Sequence, residues 1–153
     1  MYNLIEFTEE LQKEVIDFYY NYSLESGRKF ETNGRHQALT QIKDTYHIFW
    51  CLKFNNEIIG TVAVNVLSED ACELKSMYLL SKYHGNGLGQ KMIDKAFDYA
   101  KNNAFKEMYL DTLSSSEGAI RLYKKNGFVE TSRYNDNIVA DVFMKKLLYK
   151  QPI

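Results

Sequence analysis

Hydrophobic and polar positions follow two different periods along the chain, and each change of period marks a change of element. Residues 2–7 alternate in the manner of a strand, and Thr8 is suited to cap the helix that follows. Two helices are then predicted from apolar stripes, the first Leu11, Val15, Phe18, Tyr19 and Tyr22 and the second Leu39, Ile42 and Tyr46. The polar, glycine-bounded residues 23–34 are predicted to be the loop between them.

From residue 47 onward the pattern is dominated by strands. The turn Asn55-Asn56 joins the first two of them as a hairpin, and residues 68–70 form the next turn. Strands are predicted at residues 47–54, 57–66, 72–79, 106–113, 128–134 and 138–147. A helix begins at Gly87, and another spans residues 116–126 and ends at a left-handed Gly127. The order βααβββαβαββ predicts an α+β fold with a mostly antiparallel sheet and one parallel crossover.

Composition narrows the class of protein. The chain has 153 residues, 45% hydrophobic and 14% aromatic, and its one proline is Pro152, so residues 1–153 are expected to form a single domain. A net charge of −1 provides no basic surplus for nucleic acid, and no apolar run reaches membrane-spanning length. Cys51 and Cys72 lack metal-ligand spacing. We therefore expect reduced core thiols, no bound metal and a cytoplasmic protein.

The segment most informative about chemistry is a glycine-rich bend between a strand and a helix. Three glycines alternate with larger residues in its sequence, Tyr83-His84-Gly85-Asn86-Gly87-Leu88-Gly89-Gln90-Lys91-Met92. Without side chains at these positions a ligand can approach the backbone, and successive amides point outward at a helix N-terminus. The bend therefore predicts a phosphate or pyrophosphate site, with Lys82, His84 and Lys91 as nearby basic groups.

Two better-known nucleotide-binding patterns do not fit this bend. It is not G-x-G-x-x-G followed by a βαβ unit with an acidic residue, and it is not G-x-x-x-x-G-K-[ST]. Taken alone, the bend leaves open the alternative of a glycine-rich turn that only links a strand to a helix.

A second block of sequence favours the phosphate site over the simple turn. It is a helix that bears a tyrosine and ends in Gly-Phe, namely Ala119-Ile120-Arg121-Leu122-Tyr123-Lys124-Lys125-Asn126-Gly127-Phe128. With Gly87 and Gly89 at the two small positions of Q/R-x-x-G-x-G/A, the two blocks resemble the motifs of the GNAT superfamily of N-acetyltransferases. Their spacing and the element order agree, so the resemblance covers nearly the whole chain. It implies a three-layer fold whose twisted sheet is splayed between strands 4 and 5 and flanked by helices.

The resemblance also implies where acetyl-CoA lies. Pantetheine would fill the gap between the splayed strands, beside the backbone of Met77 and Leu79. The pyrophosphate would lie on amides of the glycine-rich bend, those of Gly85, Asn86, Gly87, Leu88, Gly89 and Gln90. Two positions depart from the motif: His84 stands where Gln or Arg is preferred, and Ser116 where many members carry a cofactor-binding Asn. His84 can still donate to a phosphate, whereas the shorter Ser116 loses its contact or makes it through water.

Tyr123 and Glu73 are the catalytic candidates that the resemblance implies. Tyr123 falls where members place a tyrosine near the cofactor sulfur. A phenol of pKa about 10 protonates a thiolate of pKa near 8.5 only at a cost of about 2 kcal/mol, so a hydrogen bond to the developing thiolate serves as well. Glu73 lies where some members carry a general base. The alternative for Tyr123 is a tyrosine that only packs in the core. The alternative for Glu73 is an exposed carboxylate on a strand, in which case water or the Met77 carbonyl assists the deprotonation of the amine.

In proteins of this family two loops, here residues 22–35 and 134–137, usually select the acceptor. They contain the acidic residues Glu25, Glu31 and Asp136 and the basic residues Arg28, Lys29 and Arg35. The mixed signs suit an amino acid or a peptide end, and a solvated loop is the other interpretation. We expect acetyl transfer by direct attack of a primary amine of a small molecule or amino acid, in a monomer or homodimer. Protein acetylation and a CoA-binding sensor without turnover are the alternatives.

Overall fold

Seven strands form one mixed sheet in the computed structural model, which describes residues 1–149, so Pro152 lies outside the described residues. The strand order is β1-β2-β3-β4-β5-β7-β6. The strands are β1 (Tyr2–Glu6), β2 (Ile48–Phe54), β3 (Glu57–Val66), β4 (Ala71–Leu79), β5 (Glu107–Thr112), β6 (Val129–Glu130) and β7 (Val142–Leu147). The α-helices are α1 (Gln12–Ser26), α2 (Ile42–Thr45), α3 (Leu88–Asn102) and α4 (Glu117–Lys125).

The sheet separates two hydrophobic cores, because successive side chains of a strand point to opposite faces. On one face α3 and α4 pack against residues such as Leu52, Val62 and Leu74. On the opposite face α1 and the α2 region pack against the intervening residues, among them Phe49 and Ala63. The helix–sheet–helix layering confirms the three-layer α+β architecture that the sequence predicts.

The two cysteines belong to these cores. Cys51 and Cys72 are both buried and free, as predicted. Burial raises the pKa of each thiol to about 12, which keeps both in the unreactive protonated form.

One pair of neighbouring strands separates along its length. Strands β4 and β5 are parallel and pair only from Ala71↔Glu107 to Glu73↔Tyr109. Beyond Glu73, β4 continues alongside β3, and β5 continues alongside β7. The two strands therefore diverge toward their carboxyl ends, which confirms the predicted splay.

A β-bulge in β4 lies beside this splay and is held by side-chain hydrogen bonds. Ser76 has a φ of 49°, and the pairing with β3 skips between Thr61 and Ala63. Thr61 Oγ1 donates its one proton to the Ser76 carbonyl at 2.7 Å. The Tyr19 hydroxyl, 2.5 Å from Thr61 Oγ1, must therefore donate to it. The Tyr46 hydroxyl lies 2.7 Å from Ser76 Oγ. These contacts fix the path of β4 into the splay.

Replacing Thr61 by Val is expected to reduce the free energy of unfolding by about 1–3 kcal/mol, because the buried Tyr19 hydroxyl loses its acceptor. Denaturant titration measures this. Thr131→Val is the matched control, since Thr131 is half-buried and its hydroxyl has no partner in residues 1–149. Adding Tyr19→Phe to Thr61→Val should restore part of the loss by removing the unpaired donor. Equal stability losses for Thr61→Val and Thr131→Val would show that the network does not stabilise the bulge.

The first helical segment differs from its prediction at both ends. Thr8 precedes a 3-10 turn, Glu9–Leu11, and its side chain makes no capping hydrogen bond, so the predicted Thr8 cap is wrong. Its carbonyl instead accepts the Leu11 amide at 2.9 Å. Helix α1 continues through Ser26, past the predicted start of the loop, and ends at Gly27, whose φ of 74° is left-handed.

The second predicted helix is broken into a 3-10 turn, Gln37–Thr40, and the four-residue α2. The side chain of Gln12 accounts for the break, because it satisfies backbone groups on both sides of it. Its Nε2 donates to the Leu39 carbonyl at 2.9 Å, and its Oε1 accepts the Ile42 amide at 3.0 Å.

The last two predicted strands are shorter than expected. Strand β6 has two residues instead of seven, and β7 begins at Val142 instead of residue 138. The chain between them leaves the sheet because its polar groups bond elsewhere. Arg133 donates to the carbonyls of Asn137 at 2.7 Å and Ala140 at 3.1 Å. Asp141 accepts from the Ser114 amide and hydroxyl, each at 2.7 Å.

Candidate functional site

The glycine-rich bend adopts a backbone conformation that explains two of its glycines. Gly85 and Gly87 have φ values of 83° and 73°, in the left-handed region that favours glycine. A Cβ on either residue would meet no atom within 4 Å, so backbone conformation, not crowding within the protein, selects glycine here. Gly87 is the N-cap of α3.

Six consecutive amides of this bend are free to bind a ligand. The backbone N–H groups of residues 85–90 donate to no acceptor within residues 1–149. The side chain of Asn86 secures the bend by donating to the carbonyls of Tyr83 at 3.2 Å and His84 at 3.4 Å. Unpaired amides that lead into the first turn of a 15-residue helix are a favourable environment for an anion, and the phosphate site at this bend stays a prediction.

Gly89 and Gln90 have structural roles that the sequence did not reveal. A Cβ on Gly89 would lie 2.9 Å from Leu122 Cδ2, so this glycine allows α3 and α4 to pack closely. The Gln90 side chain donates to Asn126 at 2.7 Å and accepts from it at 2.9 Å. Only the backbone amides of these two residues are therefore free for the predicted phosphate contact.

The basic groups around the bend already have partners. His84 Nε2 lies 2.9 Å from the Leu79 carbonyl and must carry the proton to donate to it. Lys91 Nζ donates to the Tyr2 carbonyl at 3.3 Å, and Lys82 lies over the ring of Tyr83. The predicted contact of His84 with a phosphate stays a prediction.

A cavity of about 320 Å³ occupies the splay between β4 and β5. Residues 74–78 of β4, residues 110–112 of β5 and the following Leu113 line it, and α4 contributes Ala119 and Tyr123. The cavity brings together three of the predicted site residues, Met77, Ser116 and Tyr123. Leu79 and residues 84–90 do not line it, but the Met77 methyl group lies 3.8 Å from where a Gly89 Cβ would stand. The bend and the cavity are therefore adjacent.

Tyr123 is buried, with 7% of its surface exposed, and it lines the cavity. Its hydroxyl has no hydrogen-bond partner in residues 1–149. Every buried side-chain polar atom of that region has a partner, so this hydroxyl is not among the buried atoms. The hydroxyl is therefore accessible from the cavity. Burial raises the pKa of Tyr123 well above 10, with further increases from Tyr78, Tyr22 and Asp111, so the phenol stays protonated.

The predicted base, Glu73, lies outside the cavity lining in a hydrogen-bonded network. It is buried, and its Oε2 accepts from the Tyr134 hydroxyl at 2.6 Å and from Asn135 Nδ2 at 3.2 Å. Lys75 Nζ stands 3.8 Å from its other oxygen. Burial, followed by the Glu73 charge, raises the pKa of Tyr134 far above its ordinary value, so Tyr134 is the donor in this pair.

Asp111 is a candidate that the sequence analysis missed. It lines the cavity from β5, and its carboxylate accepts from Asn135 at 2.6 Å and Asn137 at 3.2 Å. The alternation of β5 was a usable signal, since Met108 and Leu110 are buried on one face and Asp111 lies on the other.

Two features of other functional classes are absent from residues 1–149. No three His, Cys, Asp or Glu side chains in this part of the chain are grouped so that they could hold a metal ion. Nor does any helix there combine the length and the apolar character that crossing a bilayer requires.

Comparison with known proteins agrees with this geometry. An uncharacterised N-acetyltransferase of Escherichia coli K12, YjgM, is 34% identical over 85 residues, which are 54% of this chain and 51% of that protein. The chain thus spans about half the length of this relative. A GNAT-family acetyltransferase from Staphylococcus aureus Mu50 superposes with a TM-score of 0.89 at 25% identity, covering 97% of this chain and 100% of that one.

A GNAT-family acetyltransferase from Elizabethkingia anophelis, solved with acetyl-CoA bound, has the same fold. Its TM-score is 0.65 at 19% identity, and the superposition covers 95% of this chain and 97% of that one. The sequence model of the acetyltransferase (GNAT) family matches residues 8–128, a segment that contains both the glycine-rich bend and Tyr123. The chain belongs to the acetyltransferase (GNAT) family.

Proposed function

We propose that the chain transfers the acetyl group of acetyl-CoA to a primary amine of a small molecule or amino acid by direct attack. One observation carries the proposal: the six amides of residues 85–90, which have no partner within residues 1–149, adjoin a cavity into which the Tyr123 hydroxyl opens. An anion site next to a protonated donor suits a ligand with a diphosphate at one end and a thioester at the other.

The cofactor binds along the splay in this proposal. The diphosphate accepts from the amides of residues 85–90, and the pantetheine arm extends into the cavity beside Met77 and Ser116. In the described residues, strand β4 has no partner strand on its β5 side beyond Glu73, so its backbone is open to the amides of pantetheine there. Acetyl-CoA is the ligand in the Elizabethkingia neighbour, which supports the same choice here.

The chemical step forms a C–N bond and breaks the C–S bond. The neutral amine attacks the thioester carbonyl, and the electron pair of the C–S bond leaves on the CoA sulfur. Tyr123 then donates a hydrogen bond to the developing thiolate. Its raised pKa makes complete proton transfer to a thiolate of pKa near 8.5 still more unfavourable, so hydrogen bonding is its proposed role.

Glu73 accepts the amine proton through Tyr134 in this proposal. The Tyr134 hydroxyl donates to Glu73 at 2.6 Å. The proton that leaves the amine passes through water to the Tyr134 oxygen. The phenolic proton of Tyr134 passes in turn to the Glu73 carboxylate. Neither Glu73 nor Tyr134 lines the cavity in the described part of the chain, so the proposed relay needs water to connect the amine to the Tyr134 hydroxyl.

Replacing Glu73 by Gln is therefore expected to remove a rising limb from the pH profile of kcat/KM. A carboxylate base works only when deprotonated, so the wild-type rate rises with pH and the variant should lack that rise. The amide oxygen of the introduced glutamine can still accept from Tyr134, so the network keeps its geometry. Both enzymes are assayed over about pH 5 to 9.5 with one acceptor of known pKa, because the acceptor itself titrates.

Tyr134→Phe should show the same loss of the limb if the relay operates. If Glu73→Gln keeps both the rate and the profile, Glu73 is not the base. The amine then enters as its neutral fraction, and the assignment of acetyl transfer is unaffected.

Protein or peptide N-acetylation and CoA sensing without turnover are the competing functions. The cavity volume of about 320 Å³ favours a small acceptor, since the acetyl-pantetheine arm has to share that space. A screen of small amines and of peptides with acetyl-CoA, followed by free thiol release, separates the three. Release with small amines supports the proposal, release with peptides alone supports protein acetylation, and binding without release supports a sensor.

A further inference from the structure

The cavity mouth carries three positive side chains without acidic partners. Arg28, Lys29 and Arg35 line the cavity from the segment between α1 and α2, and their exposed side chains can reach a ligand. Within residues 1–149 none of them forms an ion pair within 4.0 Å, although four other lysines do. Arg28 has one weak contact, from Nη2 to Ser115 Oγ at 3.4 Å.

The segment that carries these cations is anchored to the protein. The ring of Phe30 lies 5.6 Å from that of Tyr19 and 4.9 Å from that of Tyr20. The Glu31 amide donates to His36 Nδ1 at 2.9 Å. A positive surface on an anchored segment is presented to a ligand at a lower entropic cost than one on a mobile loop.

The acidic residues of the same segments do not balance this charge inside the cavity. Glu25 accepts the Ser81 amide and does not line the cavity within the described part of the chain. Glu31 and Asp136 line an adjoining surface depression, which they share with Arg35. The three basic groups therefore line the cavity, and Arg35 also borders the depression that the two acidic residues line.

Asp111 is the acidic group of the cavity wall. Its oxygens accept from the neutral amides of Asn135 and Asn137, and within residues 1–149 it forms no ion pair within 4.0 Å. Burial raises the pKa of the Tyr78 phenol. The positive charges of Arg35 and Arg28 lower this pKa, and the negative charge of Asp111 raises it. Arg28, Lys29, Arg35 and Asp111 all line the same cavity, so both signs of charge face one shared space.

We propose that the acceptor is a small amine that also carries a carboxylate, of the amino-acid type. Its ammonium group binds Asp111 before losing a proton, and its carboxylate binds Arg28, Lys29 and Arg35 at the mouth. This inference rests on the proposed acetyl transfer and narrows its substrate class. Guanidinium groups match a carboxylate in geometry as well as in charge.

The test compares acceptors that differ only in the anionic group. The full-length chain is assayed with acetyl-CoA and the twenty L-amino acids and a set of dipeptides, alongside the same compounds as C-terminal amides. Thiol release gives kcat/KM for each matched pair, and calorimetry with acetyl-CoA is run in parallel. We expect the acids to exceed their amides by about ten- to a hundredfold, the usual difference for charge-assisted contacts.

The double variant Arg28→Gln/Arg35→Gln tests whether these two arginines cause the preference for acids over amides. It should bring the acid-to-amide ratio close to one through a higher KM for the acids. Arg121→Gln is the matched control, because Arg121 is exposed on α4 and does not line the cavity in the described region. The control should keep the wild-type ratio.

Each other outcome has a definite meaning. Preference for the amides, or turnover of neither set by a protein that binds acetyl-CoA, overturns the inference while acetyl-CoA binding stands. An unchanged acid-to-amide ratio in the double variant overturns it as well. Weaker acetyl-CoA binding by the double variant would show that the cations hold the cofactor, which also overturns the inference. Absence of acetyl-CoA binding by the wild-type chain would instead overturn the proposed function.

Discussion

Replacing Tyr123 by Phe is expected to lower kcat by about ten- to a thousandfold and to leave the affinity for acetyl-CoA nearly unchanged. The hydroxyl opens into the cavity without a protein partner in residues 1–149, so its removal costs little in the resting protein. In the proposed mechanism its hydrogen bond forms as negative charge develops on the departing sulfur. The loss therefore falls on the transition state and not on cofactor binding.

The same account fixes the pH behaviour of Tyr123. Because burial raises its pKa well above 10, the phenol stays protonated across the usual assay range, and its ionisation should cause no fall in rate up to about pH 9.5. Single-turnover kinetics, in which chemistry limits the rate, measure the effect of the substitution. Tyr99→Phe is the control, since the Tyr99 hydroxyl bonds His47 at 2.7 Å and lies outside the cavity lining. An unchanged single-turnover rate for Tyr123→Phe would leave Tyr123 as a core residue.

The second large effect is expected at Gly87. Replacing Gly87 by Val should abolish the rise in melting temperature that acetyl-CoA produces, because a β-branched residue resists the φ of 73° and so displaces the amides of the bend. No atom lies within 4 Å of the added Cβ, so the fold itself should survive. A left-handed conformation costs an ordinary residue about 1–2 kcal/mol.

Gly27→Val is the matched control for this substitution. Gly27 has a φ of 74°, and a Cβ there also meets no atom within 4 Å. Both variants should therefore lose similar stability without ligand, whereas the Gly27 variant alone should keep the shift with acetyl-CoA. A full shift in the Gly87 variant would exclude the bend as the cofactor's anion site.

Local chemistry explains which features could be predicted from sequence. The prediction of a two-residue turn at Asn55-Asn56 was correct because both residues adopt the positive φ, 50° and 68°, that such a hairpin requires. The prediction that α4 ends at a left-handed Gly127 was correct for a similar reason, since this glycine has a φ of 92°. The splay followed from the resemblance and is visible in the short β4–β5 register.

The features that were missed depend on contacts between distant parts of the chain. Strand β6 is shorter than predicted because the segment after it turns away, and Tyr134 and Asn135 bond Glu73 across 61 and 62 residues of sequence. The second helix is broken where Gln12 bonds the backbone from 27 and 30 residues away. Neither periodicity nor a motif encodes such pairings, which is why the place of Asp111 in the cavity also emerged only from the fold.

Calorimetric titration of the wild-type chain with acetyl-CoA tests the central claim, that the amides of residues 85–90 and the adjoining cavity form a cofactor site. We predict saturable binding with one site per chain and a rise in melting temperature that grows with ligand concentration. Pantetheine, which lacks the diphosphate, should bind far more weakly because it leaves the six amides unpaired. Absence of heat and of any thermal shift at millimolar acetyl-CoA, or equal affinity for pantetheine, would contradict the account.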